Sequence, residues 1–150
     1  MRVFNGVGEL RAAVGTHLGV SDWVTIDQSH IGMFADATGD HQWIHVDEDR
    51  AKEGPFGTTI AHGFLTLSLL PVLTWQIYRV ENVKMGINYG LNRVRFTSPV
   101  PVGSKVRGSI ELVDISDVDG GVQVTNKVIV EIEGSERPAL VAEWLTRQHL

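Results

Sequence analysis

The chain has 150 residues, 43% apolar and 21% charged, which are ordinary proportions for one globular domain with a sizeable core. A formal net charge of −5 argues against a nucleic-acid partner, which wants a basic face. The absence of Cys removes disulfides, thiolate metal sites and Cys nucleophiles. No apolar run is long enough for a membrane span, and "MRVFNGVGEL" lacks a basic-then-apolar leader, so the expectation is a cytoplasmic protein without a membrane association, residues 1–150 forming a single domain.

Near the start, "GVGELRAAVG" places glycines beside a helical stretch. With no strand read before it, it makes a poor phosphate loop. "TIDQ", residues 25–28, has the Thr-x-x-Gln form of a capping box. Ile31, Phe34, Ala35 and Ala37 follow at helical spacing, and Gly39 offers a left-handed stop, so a short amphipathic helix is predicted over 28–38 with Asp40 just beyond it. Residues 46–58, rich in charge with two Gly and a Pro, read as an irregular excursion. Residues 60–78, "IAHGFLTLSLLPVLTWQIY", are apolar almost all round, which predicts a helix enclosed by the fold, kinked or interrupted at Pro71. From residue 85 the period becomes two. Strands are predicted over 88–97 and 139–148, with Val106, Ile110 and Leu112 alternating on one strand and Val128, Val130 and Ile132 on another. "DVDGG", 117–121, supplies a hairpin turn. The layout is α+β: an antiparallel curved sheet wrapped around a long central helix.

The stretch "FADATGDHQWIHVD", 34–47, mixes ionisable groups with a large aromatic at the end of a helix. Asp40 and His45 are five residues apart, too far for one face of a regular helix. In a loop that curls back, both can point at one small molecule. For one Asp and one His in any loop, a cap and a satisfied surface group is the favoured reading, against which a shared site must be argued from the setting. The setting between Gly39 and Trp43–Ile44 lifts this pair towards a shared site, because partial shielding from water moves a carboxylate facing an imidazole towards neutral pKa values. The i, i+4 pair His41 and His45, with His62 further on, raises a metal site, but Gly39 interrupts the continuous helix such spacing needs and no Glu follows the first His; the expectation is no metal, with His41 exposed or structural. Ser29, Ser68, Thr58 and Thr59 lack a Gly-x-Ser-x-Gly turn. In "AHGF", 61–64, Gly63 begins the enclosed helix, where backbone N–H groups lack intrahelical partners and a missing Cβ lets a ligand approach: an oxyanion site, or a glycine that merely packs closely.

Residues 38–64, "TGDHQWIHVDEDRAKEGPFGTTIAHGF", resemble the signature of the MaoC-like dehydratases, or hydratase 2 family: Gly-Asp-x-Asn-Pro-x-His, an acidic residue, a Gly-rich bend and a small-x-Gly at the central helix. Gly39, Asp40, His45, Asp47, Phe56, Gly57, His62 and Gly63 fall at matching positions, and "RVRFTSPVPVGSKVRG", 93–108, is similar to the family's strand-turn-strand segment. The resemblance implies a hotdog fold, normally paired as a homodimer, and reversible hydration of a trans-2-enoyl thioester to the (R)-3-hydroxyacyl thioester. It implies Asp40 and His45 as the catalytic pair, the Gly63 amide on the thioester oxygen, Gln42, Trp43 and His62 as orienting or substrate-lining residues, and no cofactor. The implied substrate is carried on CoA, or on acyl carrier protein. Gln42-Trp43 stands where the commonest pattern has Asn-Pro, a variant resembling a branch that includes NodN-like proteins. Arg93, Arg95, Lys105 and Arg107 are candidates for the CoA phosphates. Two other readings share these residues: an acyl-thioester hydrolase on the same fold, and a non-catalytic acyl-binding module.

Overall fold

A computed structural model describes residues 1–150. In chain order the elements are β1 (Arg2–Phe4), α1 (Val7–Ala12), β2 (His17–Val20), β3 (Val24–Ile26), α2 (Gln28–Thr38), α3 (Trp43–Val46), α4 (Glu48–Lys52), α5 (Gly63–Ser68), α6 (Leu70–Ile77), β4 (Tyr78–Val80), β5 (Met85–Arg95), β6 (Ser104–Val118), β7 (Gly121–Ile132) and β8 (Leu140–His149). The main sheet is antiparallel in the order β2-β6-β7-β8-β5, with β3 also on β6. A small parallel pair joins β1 to β4.

Strands β6 and β7 form where the period of two predicts them. Val106, Ile110, Leu112, Val128, Val130 and Ile132 are all buried, since alternate side chains of a strand share one face. The turn between them is Asp119-Gly120, with Gly120 at φ 76°, a conformation open to glycine at little cost. Against this face lie Leu70, Leu73 and Ile77 of α6. The approach is close at Gly108, where a Cβ would sit 3.1 Å from Leu73.

Helix α2 spans the predicted 28–38 and ends on Gly39 at φ 82°, whose N–H returns to the Ala35 carbonyl. Its cap is a correction: Asp27, not Thr25, accepts the His30 N–H at 2.8 Å, and Thr25 lies in β3. Residues 46–58 are not wholly irregular, since they hold the end of α3 and all of α4, which Asp47 caps through the Arg50 N–H. The N-terminal helix α1 does follow a strand, β1, contrary to the sequence reading. The central helix starts at Gly63, not residue 60, and breaks at Leu69 into α5 and α6, with Pro71 in the first turn of α6, where its missing N–H is harmless. Nor is it enclosed all round. Phe64 and Trp75 are 66% and 69% exposed, and Val72 is exposed beside them.

That exposed stripe continues onto β5. This strand pairs only with β8, so its outer edge is unpaired along 11 residues, and Met85, Ile87, Tyr89 and Leu91 are all exposed. A long apolar edge is an open template for another strand. No helix is long and apolar enough to cross a membrane.

Candidate active site

The Gly39 stop turns the chain out of α2, and Asp40 follows in the loop. Its Oδ1 accepts the Gln42 N–H at 3.3 Å, an Asx-type turn that leads into α3. Gln42 then flanks α3, and its carbonyl accepts the His45 N–H. The four residues of α3 are tied to the segment before α5 through both sides of Ile60. Its N–H donates to the Ile44 carbonyl at 3.0 Å, and its carbonyl accepts Nδ1–H of His45 at 2.7 Å. A carbonyl only accepts, so this bond puts the His45 proton on Nδ1 and leaves the lone pair on Nε2.

His45 is 6% exposed. Burial holds its pKa below the ordinary imidazole value, because the charged ring loses water. The Ile60 carbonyl opposes this, the neighbouring His62 adds to it, and Asp40 pulls the other way. Its ring stacks on His62 with centroids 3.8 Å apart and planes 23° from parallel, and Phe34 lies 4.8 Å from His62 on centroids. Nε2–H of His62 donates to the Asp40 carbonyl at 3.0 Å, so its remaining nitrogen, Nδ1, is buried without a partner.

One carboxylate oxygen of Asp40 and one ring nitrogen each of His45 and His62 lie within 4.8 Å of one another. Residues spread over 22 positions of sequence thus meet at the junction of α2, α3 and α5. They are also the residues able to hold a metal. The free nitrogens, His45 Nε2 and His62 Nδ1, sit on nearly parallel stacked rings, however, whereas zinc needs lone pairs converging on one point at about 2.0–2.1 Å. His41 takes no part: it is exposed and bonded through Nε2 to Asp36 at 2.9 Å, which raises its pKa.

Two expectations are corrected, both about what shields the pair. Asp40 is exposed in this chain rather than shielded. Trp43 packs on Gly54, where a Cβ would sit 2.9 Å from the indole, and beneath Arg50 at 4.3 Å from the ring centroid. What covers His45 is instead His62. At Gly63, the first residue of α5, the N–H has no partner among the chain's backbone bonds, but the space a Cβ would occupy belongs to Phe96, whose ring lies 3.0 Å from it. Of the hydroxyls, Thr59 is buried and donates to Gln28 at 2.6 Å, and Ser68 donates to the Phe64 carbonyl. Arg107 is engaged by Glu131 at 2.6 Å, while Arg93 and Arg95 stay exposed on β5 and Lys105 on β6.

One residue escaped the sequence reading. Gln28 donates through Nε2 to the His45 carbonyl at 2.8 Å while its Oε1 accepts from Thr59, so it clamps α3 from behind.

Comparison with known proteins follows the same line. Residues 9–133 match the MaoC like domain. The chain is 60% identical over 98% of both lengths to 3-hydroxyacyl-thioester dehydratase Z of Mycobacterium tuberculosis. It is 50% identical to Nodulation protein N of Rhizobium leguminosarum bv. viciae, over 93% of this chain and 89% of that one. A solved structure, the monoamine oxidase regulatory protein from Archaeoglobus fulgidus, superposes with a TM-score of 0.80 at 26% identity, covering 99% of this chain and 96% of that one; the shared architecture is the hotdog fold.

Proposed function

The chain belongs to the MaoC-like domain family of hydratases and dehydratases, hydro-lyases by class, and on that premise we propose that it catalyses reversible hydration of a trans-2-enoyl thioester to the (R)-3-hydroxyacyl thioester. The observation that carries the reading is the convergence of the Asp40 carboxylate and a neutral, proton-accepting His45 on one small volume. A water held between them supplies both halves of the reaction. Its hydroxide adds to C3, and a proton passes to C2. The electron pair of the C2–C3 double bond moves onto the thioester oxygen as C3 is attacked, and returns to form the C2–H bond. In the dehydration direction the same groups take the C2 proton and return it to the departing hydroxyl. The Gly63 N–H, without a partner in the chain, is the donor for the transient oxyanion. Acid–base catalysis contributes about 10²–10⁴-fold and one oxyanion donor about 10²–10³-fold. Gln42 and Trp43 frame the turn that carries Asp40 to His45, and His62 holds the Asp40 carbonyl.

In this reading the working unit is a homodimer. The unpaired β5 edge and its apolar neighbours Phe64, Val72 and Trp75 need a cover, and a second copy offers a matching edge by two-fold symmetry. The same cover would shield the exposed Asp40.

The test is to add crotonyl-CoA and follow the ultraviolet absorbance of the conjugated thioester while assaying free thiol. Loss of absorbance without thiol release is the expected result. Thiol release would identify a hydrolase, and no change in either would identify a binding module.

A further inference from the structure

Helix α3 is only four residues long, and a helix that short has no stability of its own. Its last carbonyls lack intrahelical partners, so other segments must supply the donors. Two segments do. The Ile60 N–H donates to the Ile44 carbonyl at 3.0 Å, and Nε2–H of Gln28 donates to the His45 carbonyl at 2.8 Å.

The segment around Ile60 is itself held from its other side. The Ala61 N–H donates to the Val100 carbonyl at 2.8 Å, and the Val102 N–H donates to the Thr59 carbonyl at 2.9 Å. Ile60 stands opposite Pro101 in this antiparallel bridge. Alternate residues of an extended segment bond to opposite sides, so residues 59 and 61 grip 100–102 while Ile60 turns both its backbone groups towards α3.

Gln28 closes this frame into a ring. Its Oε1 accepts the Thr59 hydroxyl at 2.6 Å, and Thr59 is 1% exposed. The circuit runs from the His45 carbonyl through the Gln28 amide and the Thr59 hydroxyl to Ile60, whose carbonyl accepts Nδ1–H of His45 at 2.7 Å. Every link has one direction. The His45 carbonyl only accepts, so Gln28 must present its nitrogen there and its oxygen to Thr59, which must donate. An ionised Glu has no donor for the first link. Gln28 also begins α2, the helix after which Asp40 follows.

The Ile60 carbonyl keeps the imidazole proton on Nδ1 only while ring and carbonyl stay within hydrogen-bond distance, and only that tautomer leaves Nε2 free to accept a proton. We propose that Gln28 and Thr59 are positioning residues for the hydration: acting through the His45 backbone and through Ile60, they hold the imidazole in its Nδ1–H form and so govern turnover rather than substrate binding. The proposal rests on the hydratase reading above and adds two residues outside the reacting pair.

The experiment uses the whole protein, with kcat and KM for crotonyl-CoA measured per folded molecule. Long-range proton–nitrogen NMR at mildly alkaline pH reads the imidazole tautomer, the His45 signals being assigned by their loss in His45→Gln. Gln28→Met keeps the length and removes both bonds. Gln28→Glu keeps the shape and the acceptor for Thr59 but removes the donor. Thr59→Val removes the hydroxyl at equal volume, and Thr59→Ser keeps it. The first three are expected to lower kcat by about ten- to a hundredfold with KM within about twofold, and to show His45 as a mixture of tautomers. Thr59→Ser should retain wild-type turnover and a single Nδ1–H form. Near-wild-type kcat or an undisturbed tautomer in both Gln28 variants overturns the proposal. So does a raised KM at unchanged kcat, or a Thr59→Ser loss equal to that of Thr59→Val. A wild-type protein that fails to hydrate crotonyl-CoA overturns the hydratase reading instead, while the tautomer comparison still decides the positioning role. Should Gln28→Met not fold, Thr59→Val breaks the same ring from its other side.

Discussion

At the start of the central helix, the chain itself fixes the reactive groups: Ile60 sets the tautomer of His45, Gln28 clamps its backbone, and His62 both stacks on it and holds Asp40. At the far end, the chain leaves work undone. Trp75 is exposed, β5 lacks a partner on one edge, and Asn126 Oδ1 and Gln148 Oε1 are buried without partners, as His62 Nδ1 is at the first end. The contrast teaches that one protomer fixes its reactive groups by hydrogen bonds of set direction while leaving a strand edge and an apolar face open, and the homodimer proposed above is what would close them.

The largest effect should come from breaking the finished end. Asp40→Asn and His45→Ala are each expected to lower hydration of crotonyl-CoA by about two to four orders of magnitude, with folding retained for Asp40→Asn because that side chain is exposed. The double variant should be little worse than either single one, since groups that act on one water are not additive. Near-wild-type turnover in either single variant refutes the pair.

Gly63 sharpens the same end. Gly63→Val is expected to cost about 10²–10³-fold in turnover through loss of the oxyanion amide's approach. Its Cβ also strikes Phe96, so a structural effect must be separated from a chemical one. Combining it with Phe96→Ala removes the clash. If the melting temperature recovers and activity stays lost, the amide is the cause; if activity recovers with stability, Gly63 is a packing glycine.

Breaking the unfinished end should have a smaller effect on chemistry. Leu91→Arg on β5 puts a charge beside Arg93 and Arg95 and, in a two-fold pairing, opposes like charges across the edge. Light scattering is expected to show a monomer at micromolar concentration, with turnover down by about tenfold for want of the second copy's wall. A Leu91→Arg dimer with full activity would place the interface elsewhere.

The two ends were also unequally legible in the sequence. Helix α2 and the β6–β7 hairpin rest on local periodicity and on glycines at Gly39 and Gly120, so residue pattern alone found them. Asp40 and His45 stood out because Trp43 and Ile44 made their setting odd, and the family resemblance named them. Gln28 was invisible in its true role, because its bonds reach 17 and 31 residues along the chain; its position in "TIDQ" suggested only a cap. Asp27 and Thr25 are both good caps two residues apart, and side-chain type could not choose between them. Apolar composition predicted an enclosed central helix; exposure of Phe64 and Trp75 reverses that, since composition does not say whether an apolar face is covered by its own chain or by another.

The smallest expected effect is a pH dependence, and it tests whether His45 is held as the comparison requires. Burial lowers its pKa in the folded protein below the unfolded value of about 6.5. In the window between the two values the unfolded chain binds the proton and the folded chain does not, so stability rises with pH there. The contribution is intact above about pH 6.5 and is lost as pH falls through the window towards the depressed value. The acid limb of kcat/KM should accordingly lie below the ordinary imidazole range, since the unprotonated Nε2 is the working form. His45→Gln removes the titrating ring, and its melting temperature should change less between neutral and mildly acidic pH than that of the wild type. His41→Gln is the control. His41 is exposed and its pKa is raised by Asp36, so losing it should leave the acid limb where it was. An acid limb above about 6.5, or one that moves with His41, would mean that His45 is not the buried, neutral base at the start of the helix.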